Sequence, residues 1–120
     1  MNVIVFGATR GIGRAVARAL VERGDRVCLL GRNPEELDRS AKDLQCRGNL
    51  EVQPVTIECD LTRPEMFASA LDLAGQALGK VDAVVVTAAT FSTQELFEQD
   101  VDLAQQNMTV NFVNTVMFCE

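Results

Sequence analysis

The 120 residues predict an α/β fold, a doubly wound parallel sheet with strand order 3-2-1-4. Three observations carry this. Short apolar runs alternate with amphipathic segments along the whole chain, in the order β-α-β-α-β-α-β and then a helix. A glycine cluster, Gly7 to Gly13, lies between the first run and the first amphipathic segment. The run Val81–Val86 is nearly all apolar, as in a strand covered on both faces. Right-handed crossovers then place helices on both sides of the sheet. The length suits one domain.

In chain order, Val3–Phe6 reads as the first strand. Ile12, Ala15, Val16, Ala19 and Leu20 recur at helical spacing and predict the inward face of the first helix, which Gly24 stops. Arg26–Leu30 is the second strand. Asn33-Pro34-Glu35-Glu36 opens the next helix with an N-cap, a proline at the first helical position and acids in the first turn. Leu37, Ala41 and Leu44 face inward, and Gly48 closes that helix. Glu51–Ile57 reads as the third strand, weakened by Pro54. Thr62-x-x-Glu65 reads as a capping box, with Phe67, Ala70, Leu71, Ala74 and Leu78 as the apolar stripe and Gly79 as the stop. After the strand Val81–Val86, Ser92-x-x-Glu95 is read as the cap of a short turn. A last helix runs from about Asp100 to the end, with Leu103, Val110, Val113 and Met117 on one side.

Composition narrows the function. The chain is 48% hydrophobic and 23% charged, the balance of a folded domain. No apolar run approaches a membrane span, and no secretory leader is visible. Histidine is absent and the four cysteines are far apart, which argues against a zinc site and for reduced thiols in a cytoplasmic setting. Net charge is −6. Residues 1–50 carry nine basic and six acidic side chains, whereas residues 51–120 carry two basic and eleven acidic ones. A locally basic first half suits a small anionic ligand. With no basic stripe interleaved with aromatics, nucleic acid is not expected as a partner.

The turn Gly7-Ala8-Thr9-Arg10-Gly11-Ile12-Gly13 holds the most specific chemistry. Glycine permits positive φ and close approach of a phosphate to the backbone. The N-terminus of the next helix offers free N–H groups and partial positive charge to a pyrophosphate. Gly13 allows the helix to lie close on the strand. The loop lacks the Lys-Ser/Thr of a nucleoside-triphosphate loop, so the reading is a dinucleotide site of Rossmann type.

The spacing is G-x-x-x-G-x-G, and GATRGIG resembles the cofactor loop of the short-chain dehydrogenase/reductase family, whose signature is TGxxxGxG; Phe6 stands where the family has Thr. Three further landmarks support the resemblance over the whole chain. Asp60, with Leu61 next to it, looks like the family's aspartate after the third strand, which meets the adenine. Val86-Thr87-Ala88-Ala89 falls where the family has Asn-Asn-Ala-Gly, and the resemblance implies that Thr87, Ala88 and Ala89 line the nicotinamide-ribose site. Asn111 looks like the family's active-site asparagine. Asn107 and Asn114 share its helical stripe and are read as partly solvated.

In a NAD-binder a carboxylate about 20 positions past the glycines accepts the ribose 2′-hydroxyl. Here that place reads Gly31-Arg32-Asn33. Arg32 is shaped for a 2′-phosphate, and Arg10 approaches it from the loop; both point to NADP(H). The family's reaction moves a hydride between the nicotinamide and a carbonyl or alcohol carbon, with the proton handled by a Tyr-x-x-x-Lys pair and the substrate oxygen bound by a serine. This chain has no tyrosine, and its only lysines are Lys42 and Lys80. The resemblance places the missing Ser and Tyr-x-x-x-Lys after the last helix. Residues 1–120 therefore read as the N-terminal, cofactor-binding portion of a longer domain, closest in pattern to NADPH-dependent 3-oxoacyl-[acyl-carrier-protein] reductases. The unpaired apolar strand and the apolar last turn fit that expectation, and the resemblance also implies a homo-oligomer. Two alternatives stay open: a non-catalytic NADP-binding sensor or scaffold, and a flavin-binding doubly wound domain.

Overall fold

The computed structural model describes all 120 residues. Four parallel strands, β1 (Asn2–Phe6), β2 (Arg26–Gly31), β3 (Val55–Glu58) and β4 (Ala83–Val86), form one sheet in the order β3-β2-β1-β4. Phe6 pairs with Leu30 on one side and Val86 on the other, and Gly31 pairs with Glu58, so all four carboxyl ends reach the same edge.

Side-chain alternation sorts the core into two layers. Val3, Val5, Val27 and Leu29 meet α1 (Gly11–Glu22) and α2 (Pro34–Arg47) on one face. Ile4, Phe6, Cys28, Leu30 and Ile57 meet α3 (Phe67–Leu78) on the other face, with α6 (Thr115–Cys119) joining through Phe118. Before α6 the chain runs through α4 (Gln94–Gln99), α5 (Val101–Met108) and a π-helical turn over Thr109–Asn114. The Phe118 ring lies 4.8 Å from Phe6 in a tilted contact and edge-on at 5.3 Å to Phe67, which seats the last helix on the sheet.

Asn33 caps α2 as its sequence predicts, with Oδ1 accepting from the N–H groups of Glu35 and Glu36. Leu37, Ala41 and Leu44 are buried, as are Phe67, Ala70, Ala74 and Leu78 of α3. Gly24 and Gly79, just past α1 and α3, both have positive φ.

Six details differ from the sequence reading. The buried line of α1 is Gly13, Ala17 and Val21, while Ile12 is 75% exposed and Ala15 and Ala19 face solvent. All positions of that helix but Arg14, Arg18 and Glu22 are small or apolar, so the pattern leaves a broad arc, and the close approach at Gly13 decides the face. The third strand is only Val55–Glu58, because Pro54 cannot donate into the ladder and ends it. Thr62 makes no capping box: its N–H and hydroxyl both donate to Asp60 Oδ1, and a 3₁₀ turn, Pro64–Met66, leads into α3. The cap of α4 is Thr93, one residue after Ser92. Strand β4 is half-buried at all four positions, since nothing within these residues pairs with its far edge. In the last helix the π-turn moves the inward face to Val110, Asn114 and Phe118, leaving Val113 and Met117 exposed.

Candidate cofactor site

The loop after β1 begins with Gly7 at φ 102°, its N–H donating to the Leu30 carbonyl at 2.9 Å. A Cβ on Gly7 would lie 2.5 Å from the Ala88 nitrogen and 2.7 Å from Thr87 Oγ1. A Cβ on Gly13 would collide with the Gly7 carbonyl and Thr87 Oγ1. These two glycines let α1 start directly against β1 and β4. Gly11, at φ 52°, has open space around its Cα. No backbone N–H from Ala8 to Gly13 donates a hydrogen bond within the chain, and the N-cap, Arg10, supplies no side-chain cap. Ala8 and Gly13 are buried, which leaves the accessible N–H groups of Thr9 to Ile12 at the helix N-terminus as a cradle suited to a pyrophosphate.

A crevice of about 230 Å³ opens at the carboxyl ends of the strands. It brings together Gly7, Thr9, Arg10, Arg32, Asp60, Leu61, Thr87, Ala88 and Ala89 from the sequence reading. Gly11, Ile12, Gly13, Asn33 and Asn111 lie outside its wall. Gly11, Ile12 and Gly13 form the adjoining first turn of α1, and Asn33 has its side-chain oxygen engaged in the cap of α2.

Each wall is pinned by hydrogen bonds. Thr87 Oγ1 reaches the carbonyl oxygens of Gly7 (3.1 Å) and Phe6 (3.3 Å), so this hydroxyl ties β4 to the glycine loop. Asp60 Oδ1 accepts from Thr62 N–H at 2.9 Å and Thr62 Oγ1 at 2.8 Å, leaving Oδ2 for a ligand. Asn114 is buried, and its Nδ2 donates to the Leu61 carbonyl at 2.9 Å; the expectation of a solvated Asn114 is overturned. Asn111 clamps Thr90: its Oδ1 accepts from Thr90 N–H and its Nδ2 donates to Thr90 O, both at 2.7 Å. Asn107 Oδ1 takes the Thr90 hydroxyl at 3.0 Å, so it too is part of the clamp. As placed, the Asn111 side chain positions the segment after β4.

Three charged side chains, Arg10, Arg32 and Asp60, line the crevice. Arg32 is exposed and has no carboxylate partner, whereas Arg10 Nη2 contacts Glu36 Oε1 at 2.5 Å. Cys59, at the base, has its thiol pushed up to about 11 by burial and then by the Asp60 charge, which keeps it protonated and unreactive near neutral pH. No group of three or more Cys, Asp or Glu side chains is placed to hold a metal ion.

Sequence reasoning missed Thr62, Thr90, Cys59, Gly31, Phe6 and Val110, which also line the crevice. Asp60-x-Thr62 is a signal for an Asx turn, and it was legible. Thr90 carries no motif of its own.

Comparison with known proteins agrees with this geometry. The family model described as short chain dehydrogenase matches residues 1–120. The chain is 31% identical to the short chain dehydrogenase pgmD of Aspergillus terreus over 124 residues, covering 95% of this chain and 40% of that protein. It is 31% identical to dehydrogenase/reductase SDR family member 7B of Bos taurus, covering 95% of this chain and 36% of that one. It thus spans less than half the length of these relatives. Among solved structures, a short chain dehydrogenase from Salmonella enterica serovar Typhi superposes with a TM-score of 0.85 at 31% identity, over 98% of this chain and 49% of that one. L-sorbose reductase of Gluconobacter frateurii, solved with NADPH and L-sorbose, shares the fold at a TM-score of 0.84 and 21% identity, over 98% of this chain and 44% of that one. The strand order, the glycine cradle and the family match over residues 1–120 together show that this chain belongs to the short-chain dehydrogenase family.

Proposed function

We propose that residues 1–120 are the N-terminal, cofactor-binding portion of a longer NADP(H)-dependent oxidoreductase domain that interconverts a carbonyl and an alcohol. The carrying observation is that two arginines, Arg10 and Arg32, line the crevice, with no carboxylate in Gly31-Arg32-Asn33 to take a ribose hydroxyl. When bound, the nicotinamide supplies or accepts the hydride. The chain's own residues do the rest of the holding. The N–H groups of Thr9 to Ile12 receive the diphosphate, Arg32 and Arg10 the 2′-phosphate, Asp60 and Leu61 the adenine side, and Thr87, Ala88 and Ala89 the nicotinamide-ribose side. Asn111 keeps that last wall in place through Thr90. The proton-handling Ser and Tyr-x-x-x-Lys belong to sequence after Glu120. Substrates of the 3-oxoacyl thioester class are the first to test, and we place the protein in the cytoplasm as a homo-oligomer.

The test is cofactor titration of the intact protein, monitored by nicotinamide fluorescence. NADPH binds more tightly than NADH. Replacing Arg32 by Asp removes a charge-assisted contact and introduces repulsion, lowering NADPH affinity about 10- to 100-fold and turning the preference toward NADH. Unchanged affinities refute the assignment. Residues 1–120 alone show no carbonyl reduction. A longer sequence that lacks a Ser and then Tyr-x-x-x-Lys converts the reading into a non-catalytic NADP sensor.

A further inference from the structure

Only one of the two guanidiniums at the crevice is free. Arg10 belongs to the loop between β1 and α1, and its side chain is 81% exposed. Glu36 belongs to the first turn of α2, where its N–H is held by Asn33 Oδ1 and its carboxylate is favoured by the helix N-terminus. The two meet at 2.5 Å, bridging the elements on either side of Gly31-Arg32. Arg10 lines the crevice and Glu36 does not. Arg32 has no such partner.

We propose that Glu36 sets the cofactor selectivity of this protein by competing with the 2′-phosphate for Arg10. The inference rests on the NADP(H) reading above. A 2′-phosphate that recruits Arg10 draws it away from Glu36, or else shares it with a carboxylate of the same sign. A bare 2′-hydroxyl asks for neither, so Glu36 lowers NADP(H) affinity and leaves NAD(H) affinity alone. Arg10 and Glu36 form an exposed ion pair, and its worth, at most about fivefold, sets the gain in NADP(H) affinity when the guanidinium is freed. Glu36 thus holds the protein short of the full phosphate preference that two free arginines give.

The experiment compares NADPH and NADH affinities of the intact protein, wild type and Glu36→Gln, by nicotinamide fluorescence, with thermal unfolding to verify that the variant is folded. Glu36→Gln is expected to tighten NADPH binding about 3- to 5-fold and to leave NADH within twofold. In an Arg10→Met background the gain from Glu36→Gln shrinks below twofold, because the competition is for Arg10. An unchanged NADPH/NADH ratio in Glu36→Gln overturns this inference while leaving the NADP(H) reading intact. So does a gain that survives in full without Arg10. A wild-type protein that binds NADPH no better than NADH overturns both.

Discussion

Replacing Gly13 by Ala tests the packing on which the cradle depends. A Cβ built there falls well inside the 3.0 Å that real Cβ contacts respect, against the Gly7 carbonyl and Thr87 Oγ1. Both obstacles are fixed. The Gly7 backbone is tied to β2 through its N–H, and the Thr87 hydroxyl is tied to Gly7 and Phe6. The helix must therefore retreat by about 1 Å, loosening Ala17 and Val21 beneath it. Overpacking of this kind costs roughly 1–3 kcal/mol. The better helix propensity of alanine returns at most about 1 kcal/mol. The net loss is roughly 1–2 kcal/mol, a fall in Tm of about 5 °C for a chain of this size. Gly75, inside α3, is the internal control, since a Cβ there meets nothing within 4 Å. The same glycine-to-alanine change at Gly75 stabilises by about 0.5–1 kcal/mol. Urea unfolding of both variants beside wild type decides the matter, and NADPH titration reports whether the cradle survives. Equal shifts at Gly13 and Gly75 refute the claim that α1 is held against the strand by the absence of a side chain.

The hydrogen-bond geometry dictates three further outcomes. Asn114→Leu strands the buried Leu61 carbonyl and costs about 1–3 kcal/mol, read as a lowered urea midpoint. Asn111→Ala releases both backbone groups of Thr90, so its amide exchanges with solvent at least about tenfold faster, measured by hydrogen exchange. Asp43 joins α1 to α2; burial pushes its carboxyl up, but hydrogen bonds from Arg18 and Arg47 outweigh that and hold it below the ordinary 3.8. Its contribution is therefore fully present above about pH 4 and is lost as pH falls through the lowered value. Asp43→Asn accordingly destabilises by about 0.5–1 kcal/mol at about pH 7 and by nothing near pH 2, checked by unfolding at both values.

Legibility tracked physical uniqueness. Asn33-Pro34 has one good interpretation, because the cap and the fixed φ agree, and the structure puts the helix start there. Phe67, Ala70, Ala74 and Leu78 lie opposite the polar line Ser69, Asp72 and Gln76, so their face was readable. In α1 the apolar arc is broad, and only contact with Gly7 and Thr87 selects the side that packs. Thr62 had two partners within reach, Asp60 and the helix beyond Pro64, and local hydrogen bonding to Asp60 won. The crevice was legible where residues are covalently close to a strand end. Thr90 escaped notice because its role is set by Asn107 and Asn111, 17 and 21 residues further along the chain.

The π-turn over Thr109–Asn114 explains how one helix holds both walls of the crevice. An uninterrupted α-helix would keep the expected line through Val113 and Met117 against the sheet. The wider turn rotates the rest of the helix about its axis, so that Val110, Asn114 and Phe118 face inward. Asn107 and Asn111 already hold Thr90 after β4. The rotation carries Asn114 onto the Leu61 carbonyl after β3 and brings Phe118 between Phe6 and Phe67. The aromatic contacts fix the helix to the sheet, and the asparagines transmit that position to loops on opposite sides of the cradle. A substitution that unseats Phe118 should therefore loosen Leu61 and Thr90 together: in Phe118→Ala, both amides lose exchange protection, whereas loss at only one shows that the walls are held independently.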